Sequence, residues 1–144
     1  MFTSAQVALD PVVTKIRALL REARPLLQAD GRELNLAYPG EPPPKGQPLP
    51  DPSPAIAKMR EHLQSLRTAV LAQLGGGPAA TTARDLTALA LEQTDQSLEK
   101  RAQAHAAADA ASAAQLRDES IAILKQARST SVKAGKALGI PWPL

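Results

Sequence analysis

Two histidines, a row of carboxylates and a cluster of cations are the side chains in this 144-residue chain whose spacing could support chemistry. His105 and Asp109 stand four residues apart, one helical turn, so they could share a hydrogen bond or supply half of a metal site. A metal needs three or four such groups, and no further ligand is placed to join them. The other histidine, His62, follows Glu61, and neighbouring helical positions point apart. No Glu-x-x-His pair occurs, which removes the carboxylate-bridged di-metal site of helical bundles. Glu92, Asp95 and Glu99 recur on one helical face, the spacing a general acid/base cluster would need. They alternate with Gln93, Gln96, Lys100 and Arg101, the pattern of a solvated helix surface. Gly75-Gly76-Gly77-Pro78 has neither the Lys-Ser/Thr nor the preceding strand of a phosphate-binding loop. No serine or threonine stands in register with a base. The expectation is a protein that is not an enzyme and needs no metal or cofactor.

The cations suit binding better than catalysis. Lys125, Arg128, Lys133 and Lys136 fall within about 140° of one helical face, opposite Ile123, Ala127, Ala134 and Leu138. Phosphate contacts are one use for such a face, but aromatic stacking residues, a recognition motif and a strong net charge are all lacking. Nucleic acid therefore ranks behind protein as a partner. Ile121 and Val132 share the cationic face and are out of place on a purely solvated surface, so a partner is expected to cover part of it. The three aromatics, Phe2, Tyr38 and Trp142, all fall outside the expected helices. Each reads as an anchor pinning its segment onto a surface, with Leu144 completing the stiff Pro141-Trp142-Pro143-Leu144 tail.

Helices must position all of these groups. Asp10-Pro11 is an N-cap acceptor followed by proline at the first helical position, opening a helix over 11–30. Its stripe of Val12, Val13, Ile16, Leu19, Leu20, Ala23, Leu26 and Leu27 is wide enough to touch two neighbours. Pro25 predicts a kink and Gly31 a stop. Residues 31–53 hold seven prolines and three glycines, a linker that favours polyproline II and could reach about 70 Å. Ser53-Pro54 repeats the start signal for a helix over 54–74, where Ile56, Met59, Leu63, Leu66, Val70 and Leu74 approach a heptad seam.

Beyond the glycines, the 56 residues from Ala79 to Ala134 contain no Gly or Pro and 17 alanines. Thr82 with Asp85 resembles a capping box that opens the element. Residues 82–138 then form one helix of roughly 80 Å, or a hairpin reversing near Asp109 with Ser112 and Gln115 capping its second arm. The missing turn residues favour the single helix. Its alanines, Ala102, Ala106 and Ala113 among them, would let another helix approach closely. Gly139 to Leu144 form an extended tail.

The fold class is therefore all-α, a single helical-bundle domain over residues 1–144. Alanine supplies 28 residues and buries little area each, so a second copy or a partner is expected to contribute stability. The net charge of +3 names no partner, but residues 79–119 carry −3 and residues 120–144 carry +4. Two long rods packed antiparallel would set acid against base. No cysteine is present, no basic segment precedes an apolar run at the N-terminus, and no 18-residue apolar stretch occurs. A cytoplasmic protein or a virion component, not inserted in membrane, is expected. The Ala, Arg and Pro richness fits a GC-rich bacterial or phage genome. These features point to a structural or assembly subunit that self-associates through its long helix. The alternative is an adaptor or regulator binding one unrelated protein through a helix face, the linker or the Trp142 tail.

Overall fold

The computed structural model describes residues 10–37 and 51–141, which form four α-helices with no strand among the described residues. They are α1 (Pro11–Ala37), α2 (Ser53–Leu71), α3 (Pro78–Ala106) and α4 (Ala110–Leu138). Phe2, Tyr38, Trp142 and Leu144 lie outside the described residues, as does most of the proline-rich linker.

Local signals set most helix starts. Asp10 Oδ1 accepts hydrogen bonds from the Val12 and Val13 amides at 2.8 and 3.4 Å, while its Oδ2 accepts one from the Gly77 amide at 3.4 Å. One carboxylate thus caps α1 and ties it to the entrance of α3. Gly76 makes that corner feasible. Its φ is +75°, and a Cβ there would stand 2.6 Å from Ala80 Cβ and 3.2 Å from Asp10 Oδ1. Proline opens α3 at Pro78, four residues ahead of the predicted Thr82 box, because Gly77 in extended conformation already serves as N-cap. The cap of α2 also differs from expectation: Asp51 Oδ1, not Ser53, takes the free amide, accepting from Ser53 at 2.9 Å. The α2 helix stops at Leu71, and Leu74 is left 78% exposed.

Two expectations are corrected. Gly31 does not end α1, which runs on to Ala37 with Pro25 inside it. A mid-helix glycine costs about 1 kcal/mol relative to alanine. Burying Leu34, 5% exposed, returns about 1.5–3 kcal/mol and outweighs it. The single long helix is likewise replaced by the hairpin. The chain leaves helical geometry at Ala107, and Asp109 caps α4 by accepting from Ser112 N at 2.7 Å and Ser112 Oγ at 2.8 Å. Ser112 is the donor to this cap, not the cap. At its other end α4 closes with Gly139 at φ +71°, and the Ile140 amide reaches back to the Gly135 carbonyl at 3.0 Å.

Consecutive helices are antiparallel. Glu33 of α1 pairs with Lys58 of α2, Arg60 and Arg67 of α2 with Asp95 and Glu92 of α3, and Lys100 of α3 with Glu119 of α4. Helix α3 is central: it packs on α4 most extensively, then on α2, and touches α1 across the bundle. Val13, Ile16 and Leu20 of α1, Ile56, Leu63 and Val70 of α2, and Leu91 of α3 form the core, closed at one end by Leu138. No comparable interface joins α1 or α2 to α4.

Candidate interaction groove between the first and last helices

The α3–α4 pair is held by small residues. Ser97 Oγ donates to the Ser120 carbonyl at 2.9 Å, and Ser120 Oγ donates to the Ser97 carbonyl at 2.8 Å. Hydroxyls this short reach the opposite backbone only where the two helices lie very close. The same register, moved in steps of seven, sets Ala90 against Ala127 and Ala83 against Ala134, all at most 2% exposed. The larger Leu91 and Leu98 point instead into the core shared with α1 and α2. Of the alanines expected at this contact, Ala113 stands opposite buried Ala104 in the same register and is half-buried, while Ala102 is half-buried against the core and Ala106 is exposed.

Because α4 packs mainly on α3 and reaches the shared core only at its Leu138 end, its other flank faces α1 across a gap. The gap forms two connected groove segments of about 390 and 540 Å³ that share Gly31, Met59, Thr94 and Leu124. Met59 and Thr94 make the floor. Leu27, Gln28, Gly31 and Leu34 make the α1 wall, and Ile121, Leu124, Arg128 and Val132 the α4 wall. A Cβ built on Gly31 would meet nothing within 4 Å, so the glycine leaves room on that wall. Along α4 the groove runs from Arg117 to Val132, about 22 Å.

Of the residues singled out by sequence, Ile121 (53% exposed), Val132 (56% exposed) and Arg128 lie on this α4 wall. Lys125, Lys133 and Lys136 are exposed on α4 outside the lining, and none of the four cations makes an ion pair among the described residues. Sequence reasoning missed Met59, Thr94, Leu124 and Gly31. The two-sided width of the α1 stripe was the one signal that a second neighbour belonged beside it.

The groups considered for chemistry are engaged elsewhere. Asp95 accepts from Arg60 Nε at 2.9 Å and from Arg60 Nη2 at 3.4 Å. That hydrogen bond holds the Arg60 guanidinium above its ordinary pKa. Glu99 and Glu92 stand near Arg60 and Arg67, so the carboxylate row braces α3 against α2. His105 faces Asp51 at 3.3 Å rather than Asp109. The Ser53 backbone amide and hydroxyl, and then the His105 imidazole, hold Asp51 below the usual carboxylate range. His62 Nδ1 lies 2.5 Å from Oδ2 of Asp30, a carboxylate only 2% exposed. No group of three or more His, Cys, Asp or Glu placed to hold a metal occurs among the described residues. No helix is long and apolar enough to cross a membrane among those residues.

No protein-family model, no curated protein and no solved structure matches this chain.

Proposed function

We propose that this protein is a non-enzymatic helical adaptor that binds another protein along the groove between α1 and α4. The observation that carries the proposal is the unpaired flank of α4. Leu124 is half-buried, Ile121 and Val132 are more than half exposed, and α1 stands across from them without closing the gap. In a four-helix bundle that flank is ordinarily covered by the adjacent helix. A partner segment laid there would bury apolar surface on all four helices at once.

Self-association through a long rod has less to draw on. The hairpin brings α3 and α4 of one chain together, and the α3 carboxylates already face α2 arginines. Few acids remain to receive the α4 cations of a second copy.

Mass in solution and site-specific crosslinking test the proposal. Light scattering should give the 15.2 kDa monomer. A photo-reactive residue replacing Ile121 or Val132, expressed in the native host, should trap one protein of a different mass. The same residue at exposed Ala57 on α2 should trap none. A crosslink to a second copy only would return the protein to the assembly class.

A further inference from the structure

We infer that the groove's occupant is an acidic amphipathic helix of about four turns, contributed by a partner protein. The inference rests on the adaptor proposal and specifies the chemistry of the partner at the same groove. Three observations converge on it.

The first is shape. A groove about 22 Å long, between two antiparallel-running walls and over a continuous floor, matches a helix of about 15 residues at 1.5 Å per residue. The second is polarity. Leu27, Leu34, Met59, Leu124 and Val132 offer apolar contacts along the length, which suit anchors at three- and four-residue spacing. The third is charge. Arg117 and Arg128 line the α4 wall, and among the described residues no carboxylate lines either segment. Arg24 stands one turn before Gln28 on the same α1 face, and Lys125 flanks Leu124 on the outer rim. These four cations are exposed and make no ion pair among the described residues.

The cations of the α4 wall, with Arg24 one turn beyond the α1 lining, select against the other occupants. A second copy docked through this groove about a two-fold axis would set the same cations against each other. The described helices of the chain offer no exposed acidic stripe in exchange. A nucleic acid would use the cations but not the apolar floor, and among the described residues no Phe, Tyr or Trp lines the groove for a base to stack on. Leucines flanked by glutamates satisfy floor and rims together.

Two synthetic helices test the inference against the full-length protein. Both carry the same leucine face over about 16 residues; one has Glu on its flanks and the other Lys. Fluorescence anisotropy at low salt should show the Glu peptide binding roughly tenfold or more tightly than the Lys peptide, with the difference shrinking as salt is added. The double variant R117E/R128E, checked for unchanged helicity, should reverse the order. Equal binding of the two peptides would overturn the acidic assignment and leave the adaptor proposal standing. Binding of neither, with crosslinking at Ile121 intact, would overturn the helical occupant alone. Binding of neither together with no crosslinked protein would overturn both. Displacement of the Glu peptide by a single-stranded oligonucleotide, lost in R117E/R128E, would assign the groove to nucleic acid instead.

Discussion

Thr87 shows how a single side chain records the cost of close packing. It is 0% exposed in α3, and its hydroxyl has no hydrogen-bond partner among the described residues. The α3–α4 register sets it near Thr130, whose own hydroxyl turns back to the Gln126 carbonyl at 3.0 Å. A buried hydroxyl without a partner forfeits its bond to water and receives nothing in return. Replacing it with valine keeps the shape and removes the orphan. Thr87→Val should therefore raise the unfolding free energy by about 1 kcal/mol, read by urea denaturation. A loss of stability would show that the hydroxyl does have a partner, a buried water being the simplest. Ser97 and Ser120, equally small and polar, are satisfied across the interface, so small polar residues in this seam differ by geometry rather than by type.

At the scale of the element, the α3–α4 hairpin stands on two local devices. One is the alanine contact. Ala90 is 0% exposed, so Ala90→Leu must push the helices apart or adopt a strained rotamer, at a cost of about 1–3 kcal/mol. Ala106→Leu, on the exposed side of the same helix, should change stability by about 0.5 kcal/mol at most. Equal effects would remove the close contact from the account. The other device is Asp109. The Ser112 amide, then its hydroxyl, donate to the carboxylate and hold its pKa below the ordinary 3.8. A carboxyl depressed on folding stabilises the fold above its unfolded value and loses that contribution as pH falls through the folded one. Thermal unfolding followed from about pH 6 to about pH 2 should show this acid loss in the native protein. Asp109→Asn should show less of it, because the amide does not titrate. Identical acid profiles would separate the turn from the pH response.

For the whole molecule, the arrangement follows from which helix has faces to spare. Buried positions of α3 lie on more than one side: Ala80, Ala83 and Leu91 belong to the main core, and Ala90, Ser97 and Ala104 are buried as well. A helix apolar on several sides belongs in the middle. The others surround it, and each keeps an exposed flank. On α1 and α4 those flanks face one another over the groove, with Arg117 and Arg128 on the α4 side. Exposed Leu26 and Leu74 lie outside the groove lining.

Asp10-Pro11, Gly75-Gly76-Gly77-Pro78 and Gly139 could be read as helix boundaries from sequence because each acts within a few residues of itself. The all-helical class and the α2 stripe of Ile56, Leu63, Leu66 and Val70 were legible for the same reason, since periodicity is local. Three outcomes were not. The reversal at Ala107–Asp109 could be read only as the less favoured alternative near Asp109, because no Gly, Asn or Pro accompanies it. What favours it is the hydrogen bonding of Ser97 with Ser120, 23 positions apart, and the burial of Ala90 and Ala127 in the same register. Gly31 stays helical because Leu34 finds a core supplied by other helices. The ion pairing of Asp95 with Arg60, and the open seam between α1 and α4, depend on how all four helices rotate about their axes. Such rotations are decided by summed packing between distant segments, a quantity that no short window of sequence contains.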